Sequence, residues 1–399
     1  MIKTLKVRLY PNEKQKILLE KHFGACRFVW NYFLELRTAL LRESKAKGKP
    51  QGLNYFETCK LLTELKKEKQ WLYEVSNPSL QQVLRKLDNA FTAFFRKNAG
   101  YPKFKSKKDN QYFVVPTGVK ATRRKIIIPK FLEGIRYRDK TDASTLGKIK
   151  QAVITKVADR YFASLYYEAP DSEKKADTEF AVGVDRGISR FAVLSDGIAI
   201  ENPRFLQSFE RKLRREHRRL SRKLRGSKNR AKQRLRLAKV YLKLSDSRSD
   251  FLHKLSGAIA KSYSTVVLED LNIQGMVHNT RLAKHILDAS WGAFGRMLEY
   301  KAVNTVKIGR FEPSSKTCSD CGWYNPSLKL SDRIFRCKEC GLIIDRDLNA
   351  SINVRNIGLI KVGWGTPEFT PVETPLAGYL SRRGISYVSL KQEPQSLQG

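Results

Sequence analysis

The chain has 399 residues, 41% of them apolar and 10% aromatic, which is enough for two or three folded cores and excludes a disordered tail protein. Its 77 lysines and arginines against 39 acids leave a formal charge of +38, far from the balance of an ordinary enzyme surface. Such an excess requires a polyanion, and nucleic acid fits best because each neutralised phosphate releases condensed counterions. An anionic membrane is the rival, but there is no apolar run of about 18 residues, no apolar leader behind Met1 and no isolated amphipathic anchor. No membrane contact is therefore expected, and a cytoplasmic location, close to the nucleoid, is.

In chain order, the alternation of Ile2, Leu5, Val7 and Leu9 before Pro11 predicts a strand. From about residue 12 to residue 98 apolar residues recur at three and four, from Leu18, Leu19 and Phe23 to Leu87, Phe91 and Phe95. That spacing predicts three or four helices, with breaks around Gly48 and at Pro78. A β-rich stretch follows, with strands at Ile126–Ile128 and Ile135–Tyr137 and a hairpin whose arms, 149–157 and 161–167, flank Asp159 and Arg160. The simplest assembly is a β-barrel of residues 1–10 and 100–170, interrupted by a helical insertion of residues 11–99. Residues 171–178 are charged and without apolar period, as a linker would be.

Beyond the linker, Phe180–Val184 reads as a buried strand and Phe191–Leu194 as its hairpin partner ahead of a Ser195-Asp196-Gly197 turn. Residues 211–243 hold sixteen lysines and arginines and one acid, Glu216, with Leu213, Leu220 and Leu224 marking an apolar stripe. A helix so poor in acids repels itself unless a polyanion neutralises it. Residues 358–399 show a fading pattern with Gly and Pro, and are expected to be an unstructured tail.

Four of the six cysteines form two tight pairs, Cys318-x2-Cys321 and, fifteen residues on, Cys337-x2-Cys340, closed by Gly322 and Gly341. Four thiolates at this spacing suit one tetrahedral Zn²⁺, and because they fill every position around the ion the site is structural. An iron–sulfur or redox centre is the other reading of the same pattern. Cys26 and Cys59 stand alone in apolar helical contexts and read as small buried hydrophobes in a reducing compartment.

Two apolar, β-branched runs end in a carboxylate: Ala181-Val182-Gly183-Val184-Asp185 and Thr265-Val266-Val267-Leu268-Glu269. Each acid then lies at the C-terminal edge of a buried sheet. A third follows the cysteines in Asp345-Arg346-Asp347-Leu348-Asn349-Ala350, at the start of a helix. Taken singly, each acid serves as well for a cap or an ion pair as for catalysis. Three of them in so basic a chain cost affinity for a polyanion unless divalent cations sit between. In that reading Asp185 bridges two Mg²⁺ (or Mn²⁺) ions roughly 3.5–4 Å apart, with Glu269 and Asp347 completing the shells.

At these residues the chain resembles the TnpB family, transposon-encoded RNA-guided nucleases related to type V CRISPR effectors. The likeness runs over roughly residues 1–357. It is carried by Gly183-Val184-Asp185-Arg186-Gly187, Ser195-Asp196-Gly197, the basic Leu220-Ser221-Arg222-Lys223 with Gly226-Ser227-Lys228-Asn229, Asp250-Phe251-Leu252-His253-Lys254, Leu268-Glu269-Asp270-Leu271, the paired cysteines and Asp345-Arg346-Asp347-Leu348-Asn349-Ala350. The resemblance implies an α+β multi-domain chain. Its parts would be a WED-like barrel (1–10 and 100–170), a REC-like insertion (11–99), a RuvC-like RNase H-fold nuclease (179–310 and 343–357) and an inserted zinc ribbon (311–342). It implies Asp185, Glu269 and Asp347 as the catalytic acids. Asp347 is chosen over Asp345 because the family's core there is Asp-x-Asn followed by a small residue.

The resemblance further implies a noncoding guide RNA, a double-stranded DNA target beside a short flanking motif, and an RNA–DNA heteroduplex held by the protein. Gln81 and Gln82 suit bidentate contacts to adenine, and serve equally as ordinary helix amides. Lys103 and Lys105, interleaved with Tyr101 and Phe104, suit phosphate contact and base stacking. Arg218, Arg219, Arg222, Lys223, Lys228 and Arg230 suit a backbone clamp. A monomer is the working expectation. Two other readings compete with the nuclease: a guide-RNA-bound repressor or transposition accessory protein that does not cleave, and a strand-joining transposase.

Overall fold

An alternating strand buries one face, and β1 (Ile2–Tyr10) does so with Val7 and Leu9, between two partners in the middle of its sheet. The structure is a computed structural model that describes residues 1–47, 52–139, 141–170, 174–310, 312–329, 331–364 and 375–390. It comprises two units, Met1–Asp171 and Ser172–Gly399.

In the first unit, α1 (Glu13–Ala46), α2 (Tyr55–Glu68) and α3 (Asn77–Phe95) form the helical insertion. A capping box of Asn54 and Glu57 starts α2. The expected break around Gly48 lies outside the described residues. The helical pattern breaks just before Pro78, between α2 and α3, and Pro78 itself falls in the first turn of α3, where its missing N–H is not needed. The chain then forms β2 (Gln111–Val115), β3 (Lys120–Ala121), β4 (Lys125–Ile128), β5 (Phe131–Arg138), β6 (Ile149–Val157) and β7 (Arg160–Glu168).

Strand order in this sheet is β2-β6-β7-β1-β5-β4-β3, and the expected closed barrel is not formed. The edge strands β2 and β3 do not pair. At two residues β3 is too short to offer a closing ladder, and β2 is tied to the insertion, where His22 and Phe23 of α1 make tilted ring contacts with Phe113, with centroids 4.9 and 5.3 Å away. One continuous core therefore runs from helices to sheet. Burial pushes the Cys26 thiol up to about 12, as befits a small core residue, and Cys59 packs half-buried at the core's edge.

The second unit begins with β8 (Ala181–Asp185), β9 (Arg190–Leu194) and β10 (Ile198–Glu201), a meander turned by Ser195-Asp196-Gly197. Next come α4 (Phe205–Ser221) and α5 (Lys228–Ser262). The expected single basic helix is thus a helical hairpin, broken where Gly226 takes φ +87°. Leu213 of α4 is buried with Leu237, Val240 and Leu244 of α5, but Leu224 lies in the turn and is 80% exposed, outside the stripe assigned to it. The remaining elements are β11 (Thr265–Glu269), α6 (Ile273–Val277), α7 (Thr280–Ala289), α8 (Trp291–Lys301), β12 (Asn304–Ile308), the β13–β14 hairpin (Ile334–Arg336, Ile343–Asp345) and α9 (Arg346–Lys361).

The unstructured-tail expectation for 358–399 does not hold for its described part. Helix α9 runs on to Lys361, α10 (Leu376–Arg382) buries Leu376 and Leu380 completely, and β15 (Tyr387–Ser389) pairs with β10. The second sheet has the order β12-β11-β8-β9-β10-β15. Residues 171–173 of the linker, 365–374 and 391–399 lie outside the described residues. No described helix is long and apolar enough to cross a membrane.

A chain ended at residue 374 loses two fully buried leucines and uncovers the β10 edge. With about 2–5 kcal/mol for each buried leucine removed and about 2–4 °C per kcal/mol, its melting temperature should fall by roughly 10 °C or more. An unchanged melt by circular dichroism would show that the segment does not belong to the core.

Candidate active site

Strands β8 and β11 are parallel neighbours with Leu268 beside Val184, so the next residues, Asp185 and Glu269, end side by side at one sheet edge. Both strands are apolar runs because both faces are covered: Val182, Val184, Val266, Val267 and Leu268 are buried. Asp347 arrives from α9, which crosses the sheet very closely. A Cβ on Gly183 would lie 2.1 Å from the Ser351 carbonyl, and one on Gly358 would lie 2.3 Å from a Val267 methyl. Only glycine at these two positions allows the approach that carries Asp347 to the strand ends.

All three acids are half-buried. Burial, together with the charges of Glu269 and Asp347, pushes the Asp185 carboxyl up to about 8, against the pull of Arg346 and Arg186. Arg186 donates to the Glu269 carbonyl, and its Nε has no hydrogen-bond partner. Arg346 holds Asp347 through Nη2 and Nε at 2.8 and 3.1 Å from Oδ1, while Arg333 stands 3.8 Å from Oδ2. Ser314 Oγ donates to Glu269 Oε1 at 2.7 Å. Asp345 does different work: Oδ1 caps α9 by accepting from the Asp347 and Leu348 amides, and Oδ2 pairs with Arg190 at 2.8 Å.

The four cysteines meet. Their sulfurs all lie within 4.8 Å of one another, with Cys318–Cys340 at 3.7 Å and Cys321–Cys337 at 3.5 Å. A tetrahedron with Zn–S bonds of about 2.3 Å has edges of about 3.8 Å, so this donor set fits Zn²⁺. Gly322 and Gly341 take φ +79° and +76°, the left-handed turn behind each pair. Among the described residues this is the one group of three or more such ligands so tightly gathered. The carboxylate oxygens of Asp185, Glu269 and Asp347 are donors of the kind that suits hard divalent cations.

The expected nucleic-acid contacts fall on both units. Gln81 and Gln82 are half-buried on α3, and Lys103 is exposed. Lys105 is turned in over the Trp30 ring, 3.5 Å from its centroid, where burial brings its ammonium down to about 8. Arg218, Arg219, Arg222, Lys223 and Lys228 are exposed on the α4–α5 hairpin. Arg230 turns back, donating to the Leu220 and Lys223 carbonyls at 2.7 Å each, and so caps α4. Sequence reasoning missed Arg186, Arg346, Ser314 and the buried amides Asn349 and Asn353. The last two carried a signal: asparagines four apart, interleaved with Leu348, Ala350, Ile352 and Val354.

A carboxyl whose folded pKa is raised loses stability as pH climbs from its ordinary value near 4 toward about 8. Asp185→Asn removes that cost, so with a chelator present at pH 8 the variant should melt a few degrees above the parent, and the gap should close toward pH 4. A variant that melts below the parent at pH 8 would contradict the electrostatic account.

Three family models match the chain: "Probable transposase" over residues 164–280, "Cas12f1-like, TNB domain" over 291–354 and "Helix-turn-helix domain" over 1–46. Residues 1–46 nonetheless fold as one strand and one unbroken helix. A Streptomyces pristinaespiralis protein named "Putative RNA-guided DNA endonuclease" is 36% identical over 98% of this chain and 96% of its own length. The Escherichia coli K12 protein of that name, InsQ, is 31% identical over 90% and 92%. "TnpB-like protein L79" of Acanthamoeba polyphaga mimivirus is 24% identical over 34% of this chain and 27% of its own. A solved Cas12f1-sgRNA-target DNA complex aligns at TM-score 0.48 and 14% identity, covering 89% of this chain and 99% of that one. By the two matches that run almost end to end, the chain belongs to the TnpB family.

Proposed function

We propose that this protein is an RNA-guided DNA endonuclease of a transposon, cutting target DNA beside a short flanking motif by metal-dependent hydrolysis. The observation that carries the reading is that Asp185 and Glu269 end neighbouring parallel strands and Asp347 starts the helix packed on them, where burial, together with the charges of Glu269 and Asp347, raises the Asp185 carboxyl to about 8. The near end-to-end relatives supply the substrate class through their name.

In this reading the second unit is a RuvC-type, RNase H-like nuclease, and Asp185, Glu269 and Asp347 hold Mg²⁺ or Mn²⁺. When bound, such ions supply a hydroxide-like water and a counter-charge for the leaving oxygen. The protein's own groups do the rest. The strand ends fix Asp185 and Glu269, and the α9 start fixes Asp347. Residues 311–342 form a structural zinc ribbon that anchors the approach to α9.

The open sheet and helices of the first unit take the WED-like and REC-like roles, with Gln81, Gln82, Lys103 and Lys105 toward the flanking duplex and heteroduplex. The exposed cations of the α4–α5 hairpin grip the phosphate backbone of guide RNA or heteroduplex. Arg230 supports that hairpin from within.

The test is plasmid cleavage in Mg²⁺ by protein co-expressed with RNA from the end of its own element, on a guide-matched target beside randomised flanks. Guide-dependent cuts next to one enriched flank, reduced at least about a thousandfold by Asp185→Ala while binding persists, are the expected result. Tight target binding without cuts by either protein would favour a repressor, and strand joining would favour a transposase.

A further inference from the structure

We infer that Ser314 is a positioning residue for Glu269, held in register by the buried amide of Asn353, so that the strap leading into the first cysteine pair belongs to the metal site. This deepens the nuclease reading and rests on it.

Glu269 ends a strand, and its long side chain needs a second contact to fix its carboxylate. Ser314, itself only 6% exposed, supplies one at 2.7 Å to Oε1, and Oε2 has no hydrogen-bond partner among the described residues. The donor is neutral, so it orients the carboxylate without cancelling the charge a cation needs, unlike Arg346 on Asp347.

What holds Ser314 is α9. Asn353 Nδ2 donates to the Ser314 carbonyl at 2.7 Å and to the Thr317 carbonyl at 2.6 Å. One turn earlier Asn349 donates to the same Thr317 carbonyl at 2.7 Å and accepts from the Ser319 amide at 2.9 Å. Both asparagines are buried, four residues apart on one helix face. They clamp residues 314–319, which contain Cys318, to the helix that also carries Asp347. The clamp grips backbone only, so the Ser314 side chain can be changed without loosening it.

The experiment is calorimetric titration of Mn²⁺ into the zinc-loaded full chain, with zinc content and melting temperature measured alongside, for the parent, Ser314→Ala, Ser314→Thr and Asp185→Ala. Ser314→Ala should weaken Mn²⁺ binding by about tenfold, the effect of losing one hydrogen bond to a charged group, with zinc and melting temperature unchanged. Ser314→Thr keeps the hydroxyl and should bind within about threefold of the parent. Parent-like affinity in Ser314→Ala, or Ser314→Thr as weak as Ser314→Ala, overturns the role of Ser314 alone. Absence in the parent of any Mn²⁺ binding that Asp185→Ala removes overturns the metal-dependent reading and this inference with it.

Discussion

The close seat of α9 on the second sheet is the constraint on which the candidate site depends. Gly183 and Gly358 let the helix lie against β8 and β11 at a distance no side chain would permit. That contact sets where Asp347 meets two strand ends nearly 80 and more than 160 residues away in sequence. The same helix faces the strap with Asn349 and Asn353, so one element fixes Asp347 directly and Glu269 through Ser314. A zinc ion held by the four cysteines, as proposed, would bear on this geometry through Cys318, which lies in the 314–319 strap whose Ser314 contacts Glu269.

Electrostatics explains why so basic a chain keeps an acidic centre. A formal charge of +38 favours a polyanionic partner. Three carboxylates in such a chain are held against repulsion by Arg186, Arg346 and Arg333, the first of them buried with an unpartnered Nε. In the proposed reading the cost of gathering these carboxylates is offset when divalent cations bind. The basic stretch 211–243 solves a similar problem differently: its single acid, Glu216, is buried and accepts from Gln233 at 2.7 Å, tying α4 to α5.

The strand-end positions of Asp185 and Glu269, the helix-start position of Asp347, the cysteine pairs and most strands were legible because each rests on local pattern. An apolar β-branched run ending in a carboxylate, a C-x2-C pair and a two-period hairpin are short-range signals. What escaped was long-range. Open against closed sheet turns on whether β2 meets β3, and nothing in either strand announces that. Residues 375–390 bury Leu376, Leu380 and Ile385, in a helix and a strand too short to show a sustained period, yet they cover the β10 edge. Leu224 matched a helical stripe that Gly226 ends, and Arg230 looked like one more phosphate contact when its partners are the carbonyls of its own hairpin. Ser314 is a small polar residue among many, and its role exists only once β11 and α9 bracket it.

The most direct test of a divalent-metal centre built from β8, β11 and α9 is anomalous scattering from Mn²⁺ in crystals of the full chain. The account requires two peaks roughly 3.5–4 Å apart among Asp185, Glu269 and Asp347. Signal confined to the four cysteines, with Arg346 still closed on Asp347 at saturating Mn²⁺, would contradict it.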